Sequence, residues 1–277
     1  MKIGIVGLGL IGGSMARSIK LNTSHTVLAA DLKESEMMKA ELVGAIDGRL
    51  TDENMPECDV IIVALYPGAI VDYIRSHAHL FADGARVFDC GGVKRVICNE
   101  LRDLTKDAKW HFMGGHPMAG REFSGFRYSR DDMFETASMI LTPAPEVSPE
   151  ERLWAKTFFL SIGFLHVRFS TPEIHDEIIA YTSQLAHIVS SAYAQSDLAQ
   201  KHRGYSAGSF MDMTRVARLN EGMWTELFMD NREPLIAELN GLIGRMTQYR
   251  DALVNADAVT LKELLKKGRE AKESLDE

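Results

Sequence analysis

Apolar residues follow two rhythms along the chain, and the change falls near Ser170. Before it, short apolar runs at 2–6, 26–30, 59–65, 85–89, 110–113, 137–141 and 164–169 read as strands. The run at 59–65 is apolar without alternation, as expected of a strand covered on both faces. Helical segments lie between the runs. One covers 14–19, and another covers 35–43 and closes on Gly44 as a C′ glycine. Pro67 opens a further helix. Ser148-Pro149-Glu150-Glu151 is a capping box with proline in the first turn, and Gly163 ends the helix it starts. Strands alternating with helices predict an α/β domain of Rossmann type.

Beyond Ser170 the strand signals stop. Thr171-Pro172 caps a long helix through Tyr181, Leu185, Ile188 and Tyr193, and another helix covers 210–220. From Pro234, apolar residues fall at Leu235, Leu239, Leu242, Met246, Tyr249 and Leu253, in the steps of three and four that make a heptad-like seam. Thr260-Leu261-Lys262-Glu263 reads as the cap of a last helix, which ends in a charged tail. An all-α half of this size has little interior of its own, so the seam is expected to form a homodimer. The chain therefore divides into 1–169 and an all-α C-terminal dimerisation domain at 170–277.

Composition narrows the class of function. At 277 residues, 45% hydrophobic and 25% charged, the chain is an ordinary globular protein of one or two domains. Its net charge of −8 argues against nucleic acid as a partner, although one arginine can still hold a small anion. No apolar run is long enough to span a membrane. Lys2 leads straight into the first strand without a signal peptide, so a cytoplasmic protein is expected. Cys58, Cys90 and Cys98 lack metal-ligand spacing, so they are read as reduced thiols and no metal is expected.

Candidate chemistry begins at the N-terminus. The first strand runs into Gly7-Leu8-Gly9-Leu10-Ile11-Gly12, and a helix follows at once. A lone GxGxxG is weak, but between a strand and a helix it becomes a dinucleotide fingerprint. Gly7 permits the tight turn, Gly9 the approach of a pyrophosphate, and Gly12 the packing of helix on strand. Asp31 ends the second strand 19 residues after Gly12, near the expected offset of about 20. Its carboxylate would accept from the ribose hydroxyls and repel a 2′-phosphate. No arginine follows it, so NAD is expected over NADP.

A second concentration of chemistry is Gly114-Gly115-His116-Pro117-Met118-Ala119-Gly120. Glycines allow close approach, proline stiffens the backbone, and histidine titrates near neutrality. On its own this would be a tight turn with an incidental histidine. Delivered by a short strand to the ligand-binding edge of the sheet, beside the 90–94 loop, His116 becomes a candidate general base.

At this point the chain resembles the prephenate/arogenate dehydrogenase (TyrA) family, most of all its bacterial prephenate dehydrogenases, over nearly its whole length. The resemblance rests on 114–120, on Thr182-Ser183-Gln184-Leu185-Ala186-His187, and on Gly208-Ser209-Phe210-Met211-Asp212-Met213-Thr214-Arg215 followed by Met223-Trp224. It implies an NAD-dependent oxidative decarboxylation of prephenate in tyrosine synthesis. His116 would take the hydroxyl proton while hydride passes to the nicotinamide, and the ring would then lose carbon dioxide. Arg215 would bind a substrate carboxylate, His187 would hold the substrate side chain, and Trp224 would wall the pocket. Gly92 and Lys94 would border the substrate, and Glu122 would pair with the arginine and gate entry. Taken singly, His187 and Trp224 would be core residues and Arg215 a surface ion pair; only the joint pattern lifts them. His175 and Asp176 are read as supporting or structural.

Two departures stand out. Relatives often carry serine where this chain has Gly92, and an ordered water or the Val93 amide is expected to replace that hydroxyl. Ala186 stands where proline is common, so a straighter helix is expected there. The chain leaves no room for a regulatory ACT domain, so feedback by tyrosine would act at the active site. Rival readings are an arogenate dehydrogenase, a β-hydroxyacid dehydrogenase, whose lysine motif is missing here, and a non-catalytic NAD-binding sensor.

Overall fold

In the computed structural model, which describes residues 1–121 and 123–276, the seven predicted strands and one short strand not read from the sequence join in one eight-stranded sheet. They are β1 (Lys2–Val6), β2 (Thr26–Ala30), β3 (Gly48–Arg49), β4 (Val60–Val63), β5 (Arg86–Asp89), β6 (His111–Pro117), β7 (Ser138–Pro143) and β8 (His166–Phe169). The order is β3-β2-β1-β4-β5-β6-β7-β8, and every neighbouring pair is parallel except β6 and β7. The first six strands thus follow the doubly wound dinucleotide order. The strand order reverses between β1 and β4, which opens a crevice at their C-terminal ends.

Helices α1 (Leu10–Asn22), α2 (Glu34–Leu42), α3 (Pro67–His77), α4 (Arg95–Lys106) and α5 (Pro149–Ser161) cover the sheet. Alternation within the strands sorts the core into two layers. Ile3, Ile5, Val60 and Ile62 pack with Met15 and Ile19 of α1 and Phe158 and Phe159 of α5. Val6, Ile61 and Val63 pack with Ile70 and Ile74 of α3 and Ile97 and Leu101 of α4. All four residues of β4 are buried, which accounts for its unbroken apolar run. Ser148 and Thr171 cap their helices as read, accepting from the amides of Glu151 and Ile174. Gly44 and Gly163 have positive φ.

The C-terminal half contains α6 (Pro172–Ile179), a π-helical stretch at Ala180–Leu185, α7 (Ala186–Ala194), α8 (Gly208–Thr214), α9 (Glu221–Asp230), α10 (Arg232–Val254) and α11 (Ala258–Leu275). Its buried cluster is small. Ala180, Leu185 and Leu235 are backed by Ile188, Val189, Phe228, Leu239 and Leu242. The heptad-like seam is accordingly divided: Leu235, Leu239 and Leu242 face the chain's own core, while Met246 and Leu253 are exposed. Among the described residues no helix is long and apolar enough to cross a membrane.

Four local readings need correction. The segment with Ala186 is not straighter: the helix widens into the π stretch just before it, without a proline to force the change. The helix expected over 210–220 is shorter, since α8 gives way to a 3₁₀ turn at Arg215–Ala217 before α9 begins. The last helix is capped by Asp257, whose carboxylate accepts from the amides of Val259 and Thr260; Thr260 lies inside the first turn. Finally, β6 runs on through Pro117, so His116 stands in a strand and not in a loop.

Candidate active site

The glycine loop between β1 and α1 is shaped by its own backbone. Gly7 has φ +90°, and a Cβ there would lie 2.5 Å from the Ala64 carbonyl oxygen. At Gly12 a Cβ would run into the Gly7 carbonyl. A Cβ at Gly9 would meet nothing within 4 Å, so the middle glycine borders open space. Gly9 also precedes the first turn of α1, formed by Leu10, Ile11 and Gly12, and no side chain caps the amides there. Asp31 stands across the loop, its carboxylate accepting from the amides of Leu8 at 2.7 Å and Lys33 at 2.8 Å. Gly7, Leu8, Gly9, Leu10, Ile11, Gly12 and Asp31 thus gather at one crevice. Uncapped amides beside open space suit a pyrophosphate, and the neighbouring carboxylate suits a ribose diol.

Next to this crevice, β6 holds His116 against β7, three residues past its last pair with β5. The two preceding glycines are explained by crowding within the sheet. A Cβ at Gly115 would lie 2.5 Å from the Asp89 carbonyl oxygen and from Met139 Cε, and one at Gly114 would collide with Thr142. The backbone at His116 is registered against Ile140 of β7. Its Nδ1 lies 2.9 Å from Nε2 of His175 on α6. His175 Nδ1 lies 2.7 Å from Oδ1 of Asp176. That carboxylate also accepts from the amides of Lys94 at 2.8 Å and Arg95 at 2.9 Å, at the start of α4. Burial holds the His116 imidazole well below its ordinary pKa, and the neighbouring His175 and the Lys94 cation push the same way. Burial also lowers His175, against the opposing pull of Asp176. Both rings are neutral near pH 7.

Gly92 lies on the other side of His116. A Cβ placed there would be 4.0 Å from His116 Nε2 and 3.1 Å from Leu227 Cδ2 of α9. The space vacated by the expected serine is therefore closed on one side by a leucine. Lys94, expected to border the substrate, is placed differently. Its side chain is completely buried, and its ammonium donates to the Asp89 carboxylate and, at 2.6 Å, to the Gly115 carbonyl. The Asp89 carboxylate in turn accepts from the amides of Gly91 and Gly115. The pair ties the loop after β5 to the strand that carries His116.

Helix α9 brings up the remaining residues. Trp224, one turn before Leu227, lies against His187 with ring centroids 3.9 Å apart. His187 Nδ1 donates to the Ser183 carbonyl at 2.8 Å, which leaves Nε2 as an acceptor on the neutral ring. Burial lowers its pKa, opposed by the Ser183 carbonyl, and the nearby Arg215 cation lowers it further. His187, Trp224 and Arg215 are thus neighbours, although they come from α7, α9 and the turn after α8. Glu122 lies outside the described residues. Two polar residues not singled out in the sequence hold α9 in place. Gln184 donates to the Leu227 carbonyl, and fully buried Asn231 donates to Gln184 and to the Asp176 carbonyl. Only their place beside the π stretch and the α9–α10 joint marks them, and neither is legible in one sequence. The thiols are unreactive by position: burial pushes Cys58 and Cys98 up to about 11, and raises Cys90 as well.

Comparison with known proteins gives a consistent picture. Family models described as the nucleotide-binding domain and the dimerization domain of prephenate dehydrogenase match residues 15–164 and 171–267. The first begins just after the glycine loop. A prephenate dehydrogenase of Lactococcus lactis is 28% identical over 285 residues, covering 99% of this chain and 77% of that protein. A cyclohexadienyl dehydrogenase of Zymomonas mobilis is 28% identical over 284 residues, covering 99% and 95%. A crystal structure of prephenate dehydrogenase from A. aeolicus, in complex with hydroxyphenyl propionate and NAD+, matches with a TM-score of 0.85 at 25% identity, covering 99% of this chain and 98% of that one.

Proposed function

Because the chain belongs to the prephenate dehydrogenase family, we propose that His116 is the general base of an NAD-dependent oxidative decarboxylation of prephenate in tyrosine synthesis. NAD, when bound, supplies the hydride acceptor. The glycine loop and Asp31 would hold it at the crevice beside β6, with the Asp31 carboxylate on the ribose diol. The observation that carries the base assignment is the orientation of His116: Nδ1 is engaged by His175, and Nε2 faces the Gly92 position, which Leu227 borders.

The proton balance suits a dry site. His116 takes the proton of the ring hydroxyl as the carbon beneath it loses hydride. Carbon dioxide then leaves, and its bonding electrons pass through the ring to the same oxygen, which becomes a phenolate. His116 can return its proton there, so no net proton has to leave a half-buried imidazole. Arg215 would bind a carboxylate through its planar fork, with His187 and Trp224 beside the substrate side chain.

The test is His116→Asn, which keeps polarity but cannot serve as a base near neutrality. Its kcat is expected to fall by about 10²–10⁴-fold with KM little changed. Near-normal turnover would move the base elsewhere. Prephenate with NAD is expected to give the highest kcat/KM when prephenate and arogenate are compared with both NAD and NADP. A homodimer through the outer faces of α10 and α11 is supported by the exposure of Ile236, Ile243, Met246, Leu253 and Leu265 there. A cytoplasmic setting goes with free cysteines.

A further inference from the structure

His116 is useful as a base only with its free lone pair on Nε2, and a lone imidazole in water prefers neither tautomer strongly enough to guarantee that. We infer that Asp176 and His175 are positioning residues that fix the tautomer of His116 and steady its protonated form during turnover. The inference rests on the reading of His116 as the base.

The argument runs inward from the carboxylate. Asp176 is completely buried, and both of its oxygens face backbone donors, Oδ1 the Lys94 amide and Oδ2 the Arg95 amide. Arg95 Nε adds a cation 3.6 Å from Oδ2. With two backbone donors and a cation around it, the group stands as an acceptor. His175 Nδ1 must then carry a proton and donate it to Oδ1. His175 is a neutral ring only 2% exposed, so its Nε2 holds a lone pair. The contact with His116 at 2.9 Å therefore needs Nδ1–H on His116 as the donor. Nε2 of His116 is left bare on the side of Gly92, where a substrate hydroxyl would approach. When His116 gains its second proton, its Nδ1–H bond to His175 becomes charge-assisted and strengthens. Asp176 stays ionised, acting through orientation and field and not by taking the proton.

The place of the pair in the fold supports this. His175 and Asp176 lie in the first turns of α6, yet Asp176 is bonded to the start of α4 and, through its carbonyl, to Asn231 at the start of α10. The two halves of the molecule meet on this carboxylate, so the imidazole of the first is aimed by a residue of the second. Among the described residues, Lys94 and Asp89 are further charged groups near His116, and they are paired with each other.

The experiment combines ring-nitrogen NMR of ¹⁵N-histidine protein with steady-state kinetics of Asp176→Asn, His175→Gln, His175→Leu and His116→Asn. Wild type is expected to show His116 protonated at Nδ1 and bare at Nε2. In Asp176→Asn the charge is lost, and an NH₂ in the place of Oδ1 would donate to His175 Nδ1 at the cost of facing the Lys94 amide, reversing both rings. The expected result is Nε2–H on His116 and a kcat at least about 10²-fold lower, approaching the roughly 10⁴-fold that a wrong tautomer costs a serine protease triad. Glutamine at 175 can accept from His116 and donate to Asp176, so His175→Gln should stay within about tenfold of wild type while His175→Leu falls much further. Nε2–H on His116 in wild type overturns the inference, as does equal loss in the glutamine and leucine variants or a folded Asp176→Asn with unchanged kcat. If Asp176→Asn does not fold, the wild-type spectrum and the position-175 pair decide. Normal turnover by His116→Asn removes the base assignment itself and the inference with it; loss there, with position 175 and 176 variants unaffected, removes only the inference.

Discussion

Lys94 offers a sharp test because two roles for it predict opposite results. Its ammonium and the Asp89 carboxylate are both completely inaccessible to solvent. Lys94→Met keeps the stem and volume of the side chain but deletes the charge and its donors to Asp89 and Gly115. Asp89 would be left as an anion in a dry core, with the amides of Gly91 and Gly115 as its donors among the described residues. Removing one partner of a buried pair costs roughly 3–5 kcal/mol. At about 2–4 °C of Tm for each kcal/mol in a chain of this class, the midpoint should fall by about 6–20 °C. Thermal unfolding of the apo protein measures this, and kinetics well below the transition should show KM for prephenate within about threefold of wild type. Asp89→Asn in the same chain should recover part of the loss, since no uncompensated charge then remains. A Tm within about 2 °C of wild type together with a tenfold rise in KM would refute the buried-pair argument and return the ammonium to the substrate.

Arg215→Gln removes a charge and a fork; truncating such a contact costs roughly 2–5 kcal/mol, expected mainly in KM because the bond need not strengthen as the reaction proceeds. An unchanged KM would end the carboxylate-binding role. Asp31→Ser should narrow the preference for NAD over NADP, read as the ratio of kcat/KM values, and wild type using NADP equally well would contradict the ribose assignment. Gly92→Ser should remain folded, since φ at Gly92 is not left-handed and its tightest neighbour is the flexible end of Leu227. Its kcat/KM is expected to change by less than about tenfold, or 1.4 kcal/mol, and a much larger loss in a folded variant would show that the loop is not interchangeable with a serine-bearing one.

Local signals carried the N-terminal half well. The glycine loop and Asp31 were legible because backbone geometry alone demands glycine at Gly7 and Gly12, and strand length fixes where β2 must end. The strand character of His116 was hidden, because Gly-Gly-His-Pro has the composition of a turn. Its glycines answer to Asp89, Met139 and Thr142, neighbours that only the folded sheet supplies. Helix α4 went unread although Ile97, Leu101 and Leu104 recur at helical spacing; it starts at Lys94 without a capping side chain, so no start signal drew attention to it. Lys94 was misplaced for a related reason, since sequence shows a lysine in a functional loop but not the carboxylate that draws it inward. The link from His116 to His175 spans 59 positions and has no periodicity that could announce it.

That His116 sits within a strand has a consequence for how the enzyme can diversify. His116 is paired with Ile140 of β7, and backbone held in such a ladder lies toward the slow end of the hydrogen-exchange scale. Helix α9, which presents Trp224 and Leu227 from above, has no buried residue and belongs to the opposite end of that scale. On the proposed roles, proton transfer would fall to the strand-held part of the molecule and recognition of the substrate tail to the more exposed part. Substitutions on the Trp224 face of α9 are then expected to change which side chain is accepted more than the rate, whereas changes at Leu227, beside Gly92 and His116, should touch both.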